Sequence, residues 1–318
     1  MSSSSSSSDD SGHEPRVRRR RVINHITIVR LLEDYASDEE THTRRFGINK
    51  EQFDTLHNLL IDDININARA FSILRPIRGR DQLGLCLRFL ASGRQLGELS
   101  AMYEIREPVM EAIVREVCII IMRQLVPLTM PNPNAQRWSA IADEYEEMFK
   151  VPNVLGSVYG MRLNVENQTD YIFLALVDAK CNFISIEVAQ FNVPAQHIWD
   201  NSEMCRKFEE EEFFVPFERA PYGGHYLPLP FVLVGGYTFP SKPYMLTFFS
   251  HKEMEENDAY KVFNCRIFNV KENNSQAFRR LRHRWCIIRS RIPASTASVE
   301  SIVTAACCLE NYFPTPFI

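Results

Sequence analysis

Three acidic side chains, Glu166, Asp178 and Glu187, are available on or beside β-rich segments, and a fourth, Glu272, lies in a helical one. Mg²⁺ and Mn²⁺ are hard ions that take oxygen ligands, and a pair of them can hold the attacking and leaving oxygens of a phosphodiester in line. Asp178 opens the turn-like stretch Asp178-Ala179-Lys180-Cys181-Asn182, so a turn-stabilising role competes with a ligand role there. Glu272 lies three residues before Ser275, one helical turn away and on a similar face. A second chemistry would need Tyr159, Ser275, Arg162 and His197 to meet, but nothing in their spacing specifies a nucleophile with its base. Cysteine chemistry is not indicated. The 8 cysteines form no CxxC pair or Cys/His ladder of zinc spacing, and most lie among apolar residues.

Two basic stretches could meet phosphate. Arg16-Val17-Arg18-Arg19-Arg20-Arg21 follows a Ser- and Asp-rich start and reads as a nuclear-import address or a phosphate-contacting arm, with a solvated charged tail as the competing reading. Arg279, Arg280, Arg282, Arg284, Arg289 and Arg291 cluster near the other end, with His283 and Trp285 interleaved. Pairing with acids, or packing in the case of Arg284-Trp285, competes with DNA contact for this cluster. The net charge of -4, from Lys+Arg 36 and Asp+Glu 40, excludes a protein that coats nucleic acid over most of its surface. Any such contact must be local.

At 318 residues, 45% hydrophobic and 24% charged, the chain can bury a large core. Residues 1–22 read as a disordered, Ser-rich and basic tail. Residues 23–150 form a helical region, with Leu56, Leu59 and Leu60, then Leu83, Leu87 and Leu90, at helical spacing. Leu96 to Val117 has the outline of a helix-turn-helix. Its second helix carries Glu107, Glu111 and Glu116 against Arg115, which suits a phosphate-lined groove poorly. Residues 151–318 bring three β-rich runs, Val154 to Val165, Tyr171 to Val177 and Phe183 to Val188, and a compact buried strand over Phe231 to Val234. Mainly helical sequence follows from Lys252. The fold class expected is α+β. No run spans a bilayer: Cys118 to Met122 is closely flanked by Arg115, Glu116 and Arg123 and reads as a buried helix. With no signal peptide and no disulfide framework, a reduced intracellular compartment is expected.

Several short motifs then fall in a fixed order. They are Arg75-Pro76-Ile77, Leu87-Arg88-Phe89-Leu90-Ala91-Ser92-Gly93, Ile113 to Cys118, Val151-Pro152-Asn153-Val154-Leu155-Gly156, Leu174 to Ala179, and Val232-Leu233-Val234-Gly235. Phe263-Asn264-Cys265-Arg266, Ala277-Phe278, Leu281, Arg284-Trp285 and Cys307 to Asn311 complete the series. In this the chain, from about Phe46 onward, resembles the transposase-derived nucleases of the PIF/Harbinger group, which carry a DDE-type catalytic core. The resemblance implies an RNase H-like mixed sheet with flanking helices, preceded by the all-helical region. It also implies three acids that hold Mg²⁺ or Mn²⁺ in active members.

Those acids are not found where the resemblance puts them. The first belongs to a Gly-x-Val/Ile-Asp-Gly pattern, and Gly156-Ser157-Val158-Tyr159-Gly160 has Tyr159 in its place. The second belongs to Val-Gly-Asp, and Val234-Gly235-Gly236 has Gly236. The third, a Glu two residues before Ala-Phe, is Ser275. A family His after the first acid is replaced by Arg162, a Ser-Asp pair by Pro194-Ala195, and a His of the last motif by Glu310. The expectation is therefore a domesticated family member with no catalytic residues, no cofactor and no metal, with Asp178 and Glu272 as fallback ligands. Arg18, Arg19, Arg20, Arg21, Arg279, Arg280 and Arg282 are the candidates for nucleic-acid contact. The family relationship further implies a Myb/SANT-like or MADF-type nuclear partner that reads DNA. No membrane is involved, and the expected location is the nucleus, with the cytoplasm as a second compartment. The alternative is a metal-dependent DNA endonuclease with relocated carboxylates.

Overall fold

The computed structural model describes residues 27–70, 76–167, 171–190, 193, 197–216, 218–219, 228–293 and 299–314. The basic tail, Arg75 and Pro194-Ala195 lie outside them. Seven helices open the described chain: α1 (Val29–Ala36), α2 (Glu39–Phe46), α3 (Lys50–Ala70), α4 (Gly79–Ser92), α5 (Leu96–Tyr103), α6 (Glu107–Thr129) and α7 (Ala135–Phe149). Then come β1 (Val154–Arg162), β2 (Tyr171–Val177), β3 (Phe183–Gln190), α8 (Glu203–Glu209), β4 (Glu218–Arg219), β5 (Leu229–Pro230), β6 (Val232–Val234) and β7 (Met245–Leu246). The described chain closes with α9 (His251–Glu256), α10 (Asp258–Arg284), a 3-10 turn at Cys286–Arg289 and α11 (Val299–Tyr312).

The main sheet has the order β3-β2-β1-β6-β7. β1, β2 and β3 are antiparallel neighbours, whereas β6 runs parallel to β1, and β7 parallel to β6. This is the RNase H-like, mixed α+β arrangement. β2 is an interior strand, apolar on both faces: Phe173, Ala175 and Val177 enter one core, Leu174 and Leu176 the other. The first core is shared with helices α3 to α6 and α11. The second is closed by α7, α8 and the first half of α10, through Trp138, Tyr145, Trp199, Ile267 and Val270. Two hydrogen bonds fasten α7 there, from Trp138 Nε1 to the Phe213 carbonyl (2.7 Å) and from Tyr145 Oη to the Val177 carbonyl (2.7 Å).

α6 is the axis of the helical layer. Met110, Ile113, Val114, Val117, Ile120 and Ile121 are buried along it, against α3, α4, α5 and α11. Each such side chain contributes about 1.5–3 kcal/mol of burial. The helix-turn-helix outline persists in α5 and α6, but α6 runs on to Thr129, and from Glu107 to Cys118 only Glu107 and Pro108 are exposed. Glu116 is buried and accepts from Asn67 Nδ2 at 3.2 Å. A helix enclosed in this way has no long face to lay in a major groove. Among the described residues, no helix is long and apolar enough to cross a membrane.

Candidate site at the junction of β1, β6 and α10

β1 and β6 run side by side with Ser157 opposite Val234. Two residues further along lie Tyr159, still within β1, and Gly236, just past the end of β6, so these two positions are neighbours. α10 passes over this point. Asn274 Nδ2 donates to the Ser157 carbonyl at 2.8 Å, and Lys271 Nζ donates to the Val158 carbonyl at 2.8 Å. The Lys271 ammonium lies 5.3 Å from the centre of the Tyr159 ring and 6.0 Å from that of Phe239. A Cβ placed on Gly236 would sit 3.7 Å from Lys271 Cε and 3.8 Å from its Nζ. Ser275, one turn further along α10, donates from Oγ to the Lys271 carbonyl at 3.1 Å. Tyr159 and Gly236 therefore flank the Lys271 ammonium, while Ser275 meets only the main chain of that residue.

The electrostatics of this junction are those of a cation in a neutral cage. Burial pushes the Lys271 ammonium down to about 8, so it stays largely charged at neutral pH. A backbone carbonyl and two aromatic faces are suitable partners for such a charge. Tyr159 is itself packed on Phe278, ring centres 4.7 Å apart. A phenol, a bare glycine, a hydroxyl bonded to its own helix and an ammonium do not make a site for a divalent metal, which needs anionic oxygens. Among the described residues, no three His, Cys, Asp or Glu side chains are grouped so as to hold a metal ion.

Residues 167–311 match the family model of the DDE superfamily endonucleases. The match takes in Gly236, Lys271 and Ser275 and begins after Tyr159. No curated protein and no solved structure matches the chain.

Asp178, Glu272 and Glu187 are already engaged. Asp178 is buried in the β2–β3 turn, where its Oδ1 accepts from the backbone N–H groups of Lys180 (2.9 Å) and Asn182 (2.8 Å). Its Oδ2 accepts from Asn182 Nδ2 (3.1 Å) and Arg137 (3.3 Å). Burial still raises its carboxyl above the ordinary value, against these hydrogen bonds. Glu272 pairs with Arg279 at 2.6 Å, and it is Lys271 that reaches the junction from this turn of α10. Glu187 accepts the first N–H groups of α8, from Glu203 (3.0 Å) and Met204 (2.9 Å). Glu166 is half-buried, with its backbone N–H bonded to the Ile292 carbonyl.

Arg162 does not face the junction. Side chains alternate along β1, so Arg162 lies on the face opposite Tyr159, and it is exposed. The cation expected from Arg162 is supplied by Lys271. His197 is exposed in the turn before α8.

The arginine cluster is not one surface. Arg280 is an internal residue: it pairs with the fully buried Glu310 at 3.3 Å and donates to the Cys181 carbonyl. Arg284 pairs with the same carboxylate at 3.3 Å and donates to the carbonyls of Gly47 (2.6 Å) and Phe313. Trp285 is fully buried. Arg279, Arg282, Arg289 and Arg291 are exposed. A separate cavity of about 520 Å³ opens at the far end of the sheet, between residues 128–134, the β2–β3 turn and the end of α11. Neither this cavity nor Lys271 is apparent from sequence, because both arise where distant segments meet.

Proposed function

We propose that the chain is a domesticated PIF/Harbinger-type transposase derivative, a nuclear protein that keeps the DDE-type scaffold without nuclease activity and acts by binding a protein partner and DNA. The observation that carries this reading is the junction at Lys271. The positions that the family resemblance assigns to metal-holding acids hold Tyr159, Gly236 and Ser275; the first two border an ammonium and the third is bonded to its own helix. Relocated catalysis would need free acids nearby, and Asp178, Glu187 and Glu272 are spent on a turn, a helix end and an ion pair.

The partner half of the proposal rests on α6. A buried central helix with acidic first turns is a poor DNA reader, which fits a division of labour in which a Myb/SANT-like or MADF-type protein supplies sequence recognition. The exposed arginines Arg279 and Arg282, with Arg18, Arg19, Arg20 and Arg21, would add phosphate contacts of little sequence preference. Co-purification of the full chain from nuclei tests this. A recurrent Myb/SANT-like or MADF-type protein is expected, and a monodisperse chain with no recurrent nuclear partner would contradict it.

A further inference from the structure

Lys271 touches three elements at once. It extends from α10, donates to the Val158 carbonyl of β1, lies against the Tyr159 ring, and borders the turn that follows β6 at Gly236 and Phe239. That turn is closed by the Phe239 N–H bonded to the Gly236 carbonyl at 3.0 Å, which fixes the second aromatic face. Gly236 leaves the space beside Nζ open, since even a methyl group there would meet it only at ordinary contact distance.

We propose that the Lys271 ammonium is the built-in cation of this junction, joining β1, the β6 turn and α10 in place of a divalent metal, so that the site repels Mg²⁺ and Mn²⁺ as well as lacking ligands for them. This rests on reading the chain as a DDE-type scaffold without metal chemistry. Its physical content is specific. A divalent ion entering the cage would have to sit beside a charge of the same sign or displace it. Acids restored at Tyr159 and Gly236 would pair with Lys271 before they could bind metal.

The test has two arms. In the first, the Lys271 ¹³Cε signal of the native chain, assigned by its loss in Lys271→Met, is followed as millimolar Mn²⁺ is added. The signal is expected to stay sharp, and selective broadening would overturn the proposal. In the second, Mn²⁺ affinity is measured by calorimetry for the chain carrying Tyr159→Asp, Gly236→Asp and Ser275→Glu, with Lys271 kept or replaced by Met. Binding is expected to be at least about ten-fold weaker when Lys271 is present, and equal affinities would overturn the proposal. Should the restored chains fail to fold, the native-chain arm decides alone. Broadening without DNA nicking would sink the built-in cation yet leave the non-catalytic reading standing. Mn²⁺-dependent nicking with a sharp Lys271 signal would do the reverse.

Discussion

Lys271 Nζ lies 2.8 Å from the Val158 carbonyl oxygen, so α10 delivers a positive charge to β1 one residue before Tyr159. The charge is held by a carbonyl dipole and two aromatic faces, and burial lowers its proton affinity. Between pH about 8 and 10.5 the unfolded chain therefore holds more of this proton than the folded chain. Stability rises with pH through that window: the cost is fully present below the folded value and is relieved above it. The contribution is at most about 3 kcal/mol. Urea melts of the native chain and Lys271→Met across the window are expected to diverge, with the native chain gaining more. Parallel curves would contradict the burial of the ammonium.

Gly236→Asp gives the ammonium the anion it lacks. Gly236 does not carry a left-handed φ, and its Cβ would meet Lys271 only at 3.7 Å, so the substitution fits without strain. The carboxylate is expected to move the Lys271 titration back toward the ordinary lysine value by at least about one pH unit. A ¹³Cε titration reads this directly. An unmoved Lys271 would mean that Gly236 and Lys271 are not neighbours.

Much of this framework is legible in the sequence, and the exceptions share a cause. The runs Val154 to Val165, Tyr171 to Val177 and Phe183 to Val188 and the Asp178–Asn182 turn are local patterns, and the structure forms β1, β2 and β3 with a turn there. Lys271 is not legible, because a single lysine in a polar helix looks like any solvated residue; only the docking of α10 over β1 turns it inward. Glu272 stands three residues before Ser275, yet the side chain four residues before Ser275, that of Lys271, is the one that reaches β1. The arginine cluster misleads in the same way. On helix α10, Arg279 and Arg280 are adjacent in sequence and lie on opposite sides of the boundary between water and the core.

Glu310 is fully buried between Arg280 and Arg284, each 3.3 Å away. Glu310→Gln leaves two largely buried guanidinium groups without their anion, and a loss of about 3 kcal/mol is expected in chemical denaturation. A change within experimental scatter would show that α11 does not seat on α10 through this pair.

Gly47 ends α2 in the left-handed region, with φ 75°, and its Cα faces Trp285. A Cβ there would lie 2.6 Å from Trp285 Cζ3. Gly47→Ala should cost about 2–4 kcal/mol from backbone strain and overpacking together, with a change in tryptophan emission. Gly160→Ala is the control, since its Cβ meets Ile172 and Leu174 only at 3.7 Å. Equal effects of the two substitutions would contradict the packing of the helical layer on Trp285.

Arg279 and Arg282 are exposed, whereas Arg280 is tied to Glu310. If the chain contacts DNA through this helix, Arg279→Ala with Arg282→Ala should lower affinity on any sequence. The slope of log affinity against log salt should fall by about one per lost contact, with the melting temperature unchanged. Arg280→Ala should instead lower the melting temperature. Affinity that is insensitive to salt would remove phosphate contact from the account.

The most direct test of the central claim is a nicking assay on supercoiled DNA, with the native chain in Mg²⁺ and in Mn²⁺ across neutral to alkaline pH. A scaffold whose junction holds Tyr159, Gly236, Ser275 and an ammonium is expected to leave the plasmid intact under every condition. Metal-dependent nicking that co-purifies with the protein and is abolished by chelation would contradict it.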